Sequence, residues 1–213
     1  MLKDFLHVIW MFLLVTFVPR YIHTVVPIPN PISMLFLAII SIKFVDKDKL
    51  NVFGVSLSYS KRSVFFGILA FTFLCLSSLI LVPFNILFSI NLQTLKEIYP
   101  RNLLLASILL FLFNSIEEMI FRGYIINKLT KIGENAILTP IALFISGFLH
   151  AIWHLNKFLN FRFYFISISL GVISGIIFII SKRNILGPCL FHWLTNIFNN
   201  SVAILNSIFS YLF

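Results

Sequence analysis

One short stretch of the chain carries three charged side chains inside an otherwise apolar segment. Glu117, Glu118 and Arg122 lie within six positions, and the residues from Leu103 to Leu129 around them are mostly apolar. An unpaired charge in a membrane is costly, so intramembrane acids generally mark functional sites. On a helix, Glu118 and Arg122 stand at i and i+4 and can pair, whereas Glu117 points about 100° away round the axis. The spacing predicts a structural ion pair of Glu118 with Arg122 and leaves Glu117 for chemistry.

Three histidines and an asparagine fall on two later apolar segments. His150 and His154 are four residues apart, as are His192 and Asn196, so each pair shares one helical face. Hydrolysis of a peptide by water needs a carboxylate or metal to activate the water, an imidazole to share its proton, and donors for the oxyanion. These residue types supply all three around Glu117. The alternative without catalysis is a purely structural cluster, in which an ion pair links two helices and the histidines only make interhelical hydrogen bonds.

The depths of these residues in the membrane can be compared from the rise of an α-helix. Counted at about 1.5 Å per residue from the cytoplasmic end of each span, Glu117 lies about 16 Å deep, His150 about 15 Å and His192 about 13 Å. The cytoplasmic ends are taken at Lys128, Pro140 and Arg183. His154 lies about one turn further out, at about 21 Å. The first three residues therefore share one layer, which favours His150 over His154 as the partner of Glu117.

The composition sets the class of protein that must position these groups. Of 213 residues, 60% are hydrophobic and only 11% charged, with a mean hydropathy of +1.02. A soluble globule of this size would expose far more polar surface, so we predict an all-α, polytopic transmembrane helical bundle formed by a single integral domain over residues 1–213. Nucleic acid is not an expected partner, because the basic residues flank apolar runs, a position that indicates contacts with the lipid bilayer.

Apolar runs bounded by charge or proline predict seven membrane spans, with eight as the alternative. The runs are Phe5 to Val18, Ile32 to Val45, Ser63 to Ile90, Leu103 to Leu129, Thr139 to Leu155, Phe161 to Ile180 and Ile185 to Leu212.

Basic residues in the loops predict the orientation of the spans. Ten of them fall on the side of the N-terminus and five on the other, with Arg122 in the membrane. Since cytoplasmic loops carry the excess of Lys and Arg, the N-terminus is expected to be cytoplasmic. The first group is Lys3, Lys43, Lys47, Lys49, Lys61, Arg62, Lys128, Lys131, Lys182 and Arg183, and the second is Arg20, Lys96, Arg101, Lys157 and Arg162.

At the polar positions the sequence resembles the CPBP intramembrane endopeptidases, a family that includes CAAX prenyl proteases and bacterial Abi or bacteriocin-immunity proteins. The run Glu117 to Arg122 matches the family's E-E-x-x-x-R motif, and His192 to Asn196 matches H-x-x-x-N/D after Gly-Pro. The second motif, F-x-x-x-H, is where the chain departs: Ser146 precedes His150, and His150 precedes His154, at the position of the Phe. The resemblance covers residues 102–200.

The resemblance implies an intramembrane (metallo)endopeptidase that cleaves a peptide or a small membrane-associated protein. Glu117 would be the general base, His150 or His154 would hold the water, and His192 with Asn196 would stabilise the oxyanion. A zinc-type site needs three protein ligands and an open position, which Glu117 and two of His150, His154 and His192 could supply. The family also implies a bacterial plasma membrane as the location.

Two other functions remain open from the sequence. One is a non-catalytic immunity factor or scaffold of the same fold, which the departure in the second motif favours. The other is a small transporter whose buried charges carry ions or protons. The lack of an internal repeat counts against the transporter.

Overall fold

In the computed structural model, helices form most of the described part of the chain, and that part contains no strand. The all-α prediction is confirmed. The structure describes residues 2–25, 30–46, 50–81, 103–131, 138–154 and 161–197. The helices are α1 (Leu2–Val25), α2 (Asn30–Ile40), α3 (Ser60–Leu81), α4 (Leu103–Glu118), α5 (Asn127–Lys131), α6 (Leu138–Trp153), α7 (Phe161–Ile180) and α8, described over 186–197.

Three shorter pieces of helix connect or extend these elements. A π-helical segment, Ser41–Asp46, follows α2, and a 3₁₀ turn, Leu50–Phe53, precedes α3. A second π-helical segment, Met119–Ile126, joins α4 to α5 without a break. Some of the predicted features lie outside the described residues. They are the parts of the apolar runs over 82–90 and 198–212 and the loop charges Lys47, Lys49, Lys96, Arg101 and Lys157.

Two helices of the described part are long and apolar enough to cross a membrane, over Lys3–Ile22 and Ser60–Ser77. Shorter apolar helices cover Asn30–Phe44, Leu138–Trp153 and Tyr164–Ile180. Large apolar side chains cover the outside of the bundle, as at Phe73, which is 72% exposed, and such a surface suits hydrocarbon better than water. The count of seven spans stays a prediction.

The loop residues predicted to share one side of the membrane meet at one end of the bundle. Lys128 reaches Asp4 of α1 at 3.7 Å, and the Asn127 amide donates to the Val52 carbonyl at 2.8 Å. Arg183 donates to Asn127 at 2.8 Å. At the opposite end of α1, Arg20 meets the end of α6. This arrangement agrees with the predicted alternation of the spans, while the side that faces the cytoplasm stays a prediction.

Glycines allow α6 and α7 to form the most extensive helix pair of the described part. A Cβ on Gly171 would lie 2.7 Å from the Gly147 Cα and 3.2 Å from Nη2 of Arg122. Small residues let helix backbones approach closely in membranes, where dispersion contacts and hydrogen bonds replace the hydrophobic effect. The close approach of α6 and α7 encloses the buried arginine.

The π-helical segment Met119–Ile126 lies directly after the paired acids. π-helical turns are rare and frequently mark functional sites, because the wider turn rotates the following side chains and loosens the backbone hydrogen bonds. The Ser146 hydroxyl donates to the Phe121 carbonyl at 2.6 Å. Ser146, which stands four residues before His150, thus supplies a hydrogen bond to this irregular backbone.

Gly123→Ala should destabilise the bundle. A Cβ at this position would collide with the backbone of Phe53, which cannot move as a side chain could. We expect a loss of about 1–3 kcal/mol, the usual cost of overpacking a close contact. The measurement is thermal unfolding in detergent, with Thr72→Ala at an exposed position of α3 as the control. A melting temperature for Gly123→Ala equal to that of the control would contradict this contact.

Candidate active site

Both adjacent acids are buried at the end of α4. Glu117 is 7% exposed and Glu118 is fully buried. The sequence placed them on different sides of one helix. In the structure both carboxylates nevertheless belong to one polar cluster, because histidines of neighbouring helices contact each of them.

Glu118 has three partners from three helical elements. Its Oε2 lies 3.1 Å from Nε of Arg122 and accepts a hydrogen bond from the Ser174 hydroxyl of α7 at 2.7 Å. Its Oε1 lies 2.8 Å from Nδ1 of His192 of α8. The structure therefore brings the predicted pair of Glu118 and Arg122 together. It also links Glu118 to His192, a contact that the spacing of the residues did not indicate.

Glu117 faces both histidines of α6. Its Oε2 lies 3.6 Å from Nε2 of His150 and 3.4 Å from Nε2 of His154, and those two ring nitrogens are 3.3 Å apart. Its Oε1 accepts a hydrogen bond from the indole N–H of Trp153 at 3.3 Å. One carboxylate oxygen is thus held by a donor while the other is presented to two imidazoles.

The contact distances do not separate His150 from His154. The depth comparison placed His154 one turn beyond the layer of Glu117, but residues at i and i+4 share a face and the glutamate side chain reaches both. The two differ in their surroundings. The His150 side chain is 6% exposed against 14% for His154, and its ring centroid lies 5.5 Å from that of His192. His150 therefore sits between the two carboxylates.

Asn196 lies in α8 one turn beyond His192, with its amide turned to another polar side chain. Its Nδ2 donates to Oδ1 of Asn114 at 3.2 Å. Asn114 is 4% exposed and stands one turn before the two acids on α4. This hydrogen bond ties α8 to α4 beside the cluster.

Three contributors to the cluster were not assigned a role from the sequence: Asn114, Trp153 and Ser174. Asn114 could have been found, because it is a polar residue in an apolar run three positions before Glu117. Trp153 and Ser174 carry no such signal, since tryptophan and serine are common in membrane helices. Their partners follow only from the packing of α6 and α7 against α4.

Two groups of side chains could hold a metal ion among the described residues. Glu117, His150 and His154 form one, and Glu118, His150 and His192 form the other, with the ligand atoms of each group within 4.8 Å of one another. In the second group Glu118 is already engaged by Arg122 and Ser174. The first group is therefore the better candidate.

The apolar exterior of the bundle and the buried cluster of two carboxylates and three imidazoles define the class of protein. It is a helical membrane protein with a buried cluster of carboxylates and imidazoles in its interior, and groups of these types can activate water.

Comparison with known families gives the particular assignment. Residues 99–198 match the family described as type II CAAX prenyl endopeptidase, Rce1-like. This segment, slightly under half of the chain, is similar to that family and contains all the polar residues of the cluster. The predicted family is confirmed, and with it a peptide-hydrolase domain that is embedded in the membrane. Searches of curated proteins and of solved structures gave no match.

Glu118→Gln should damage the fold more than Glu117→Gln does. The first change removes the charge that faces the buried guanidinium of Arg122, and breaking a buried ion pair typically costs about 3–5 kcal/mol. The second leaves that pair in place. We expect a lower melting temperature in detergent and a lower membrane abundance for Glu118→Gln alone. Equal melting temperatures in the two variants would contradict this division of labour.

Proposed function

We propose that the protein is an intramembrane endopeptidase of the CAAX-protease type. The single observation that carries this proposal is the approach of two imidazole nitrogens, at 3.4 and 3.6 Å, to one oxygen of the buried Glu117 carboxylate. A carboxylate so placed can accept a proton from a water molecule that the imidazoles hold. The substrate is a peptide or a small membrane-associated protein, and the family's name makes a prenylated CAAX peptide the first probe.

In this mechanism the water oxygen attacks the peptide carbonyl carbon while Glu117 takes one of its protons. The tetrahedral oxyanion accepts hydrogen bonds from His192 and from the Asn196 amide, whose NH₂ group carries a second donor besides the one given to Asn114. Glu117 then returns the proton to the leaving nitrogen as the C–N bond breaks. The products are a carboxylate and an amine, so no redox partner is required.

Glu118 would fix the imidazole of His192 for this role. Its Oε1 lies 2.8 Å from Nδ1 of that ring, a contact that holds the ring in one orientation. A carboxylate in this position accepts the Nδ1–H and stabilises the imidazolium form of the ring, whose Nε2–H is the donor that the oxyanion role requires. Glu118 would therefore serve both Arg122 and the oxyanion site.

The chain would work as one integral domain in a bacterial plasma membrane, with its N-terminus in the cytoplasm. The contacts of α1 with α5 and α6 support a single domain, because they tie the N-terminal helix to two helices inside the matched segment.

Alanine at Glu117 or His192 should separate activity from folding. Loss of a base or of an oxyanion donor typically costs about 10²–10³ in rate. We expect normally expressed, monodisperse proteins with that loss of cleavage of a prenylated CAAX peptide. Of the two α6 histidines, His150→Ala should be the more damaging, because His150 is the more buried and lies between both carboxylates. His7→Ala on α1 is the matched control.

A scaffold or immunity factor would give the opposite result. Its phenotype would survive in all four variants at matched membrane abundance. Full cleavage activity in Glu117→Ala would exclude Glu117 as the base.

We also propose a metal-dependent alternative, in which Glu117 is a ligand instead of the base: Glu117, His150 and His154 can bind a divalent cation such as zinc. Ligands bound tetrahedrally to zinc at about 2.0–2.1 Å lie about 3.4 Å from one another. The distances among Glu117 Oε2, His150 Nε2 and His154 Nε2 are 3.3, 3.4 and 3.6 Å, which fits this spacing. Three protein ligands leave an open position, and a bound zinc would make water easier to deprotonate and polarise the carbonyl.

His150→Phe, which restores the family's F-x-x-x-H pattern, should abolish this cation binding. We expect about one cobalt per purified wild-type chain, with the visible absorption of a tetrahedral ion, and none in the variant. His192→Gln should keep the cation, because His192 is not one of the three ligands. Cobalt bound equally by wild type and His150→Phe would contradict the site.

A further inference from the structure

The N-terminal helix α1 lies outside the family segment, yet its end reaches the candidate active site. Arg20 Nη2 donates to the carbonyl of Trp153 at 2.6 Å. The guanidinium carbon also lies 5.4 Å from the centre of the Trp153 ring, a cation–π distance. Arg20 therefore holds Trp153 by both its backbone and its side chain.

The backbone contact meets a group that needs a partner. Trp153 is the last residue of α6, and the final carbonyls of a helix have no partner within the helix. A cation near a helix C-terminus also interacts favourably with the helix dipole. The hydrogen bond from Arg20 thus gives the carbonyl of the last residue of α6 a partner and stabilises that end of the helix.

The side-chain contact leads directly to Glu117. The indole N–H of Trp153 donates to Oε1 of Glu117 at 3.3 Å, and the tryptophan is 7% exposed. This bond holds one carboxylate oxygen, and so sets the rotation that presents Oε2 to the two histidines. A cation over the ring also draws electron density from the indole, which makes its N–H a better donor.

The helix that carries Arg20 is fixed in place along its length. Asp4 pairs with Lys128 at 3.7 Å near one end. In the middle, Met11 and Val15 are fully buried in the same apolar core as Trp153. Arg20 therefore approaches the end of α6 from a helix that is packed against the site.

We propose that Arg20 is a positioning residue for hydrolysis and acts through Trp153 on the Glu117 carboxylate. The inference rests on the proposed function, since it assigns Arg20 to the base of that reaction. It makes α1 a part of the active site and extends the site beyond residues 99–198.

Steady-state kinetics on a prenylated CAAX peptide test this role. For Arg20→Ala we expect kcat to fall about tenfold while KM changes less than about twofold. A misplacement of catalytic groups by about 1 Å can cost about a hundredfold in rate, and the loss of a positioning contact should cost less. Arg20→Lys should recover most of kcat, because an ammonium can keep both the carbonyl bond and the contact with the ring. Arg62→Ala is the matched control, since Arg62 also lies over an aromatic ring, that of Phe66 at 5.6 Å, on the exposed surface. Kinetics of Arg20→Ala equal to those of Arg62→Ala would overturn the proposal.

A double-mutant cycle shows whether Arg20 acts through the indole. Trp153→Phe removes the N–H that reaches Glu117 but keeps an aromatic ring and the backbone carbonyl. In this background Arg20→Ala should lower kcat less than about twofold further, because the two residues act on one hydrogen bond. A further loss of about tenfold would show that Arg20 acts independently of Trp153, and would overturn the proposal.

Fluorescence tests the contact without a substrate. The chain has three tryptophans, so Trp10→Phe with Trp193→Phe leaves Trp153 as the single emitter. Added Arg20→Ala should shift its emission to the red and increase quenching by acrylamide, and added Arg62→Ala should not. No difference between the two overturns the inference. A wild type that fails to cleave the peptide, but shows this difference, would instead count against the proposed function alone.

Discussion

Burial of charge without water is the constraint on which the site depends. Arg122 is 1% exposed and Glu118 is fully buried, so neither has solvent to stabilise its charge. Such groups persist only when the protein supplies both an opposite charge and hydrogen bonds. For Glu118 these come from Arg122 on its own segment, Ser174 on α7 and His192 on α8. One carboxylate thereby fixes three parts of the bundle relative to one another, and the second carboxylate is positioned as a consequence.

Close backbone packing is what allows these partners to meet. Gly147 and Gly171 bring α6 and α7 together beside the Arg122 guanidinium, where a larger side chain would push the helices apart. The π-helical segment begins directly after the acids, and such segments frequently occur at functional sites. The polar cluster therefore depends on this close packing. A larger side chain at either glycine would displace the helices and with them the partners of the carboxylates.

The family segment does not account for every contact of the site. All the acids and histidines of the cluster lie within residues 99–198, but the tryptophan that holds Glu117 is itself held by Arg20 of α1. Hydrolytic chemistry needs groups placed to within a fraction of an ångström, and such placement usually depends on a second layer of contacts. In this protein part of that layer comes from a helix that the family match does not cover.

The sequence by itself determined the helical class, the family and the acids and histidines of the cluster, because apolar composition and i, i+4 spacing act within single helices. The pairing of Glu118 with Arg122 could be predicted for this reason. Contacts between helices were decided only by the tertiary structure. It links His192 to Glu118, brings both His150 and His154 to Glu117, and turns Asn196 toward Asn114. Spacing fixes the face on which a side chain lies, whereas its partner depends on the rotation and depth of each neighbouring helix.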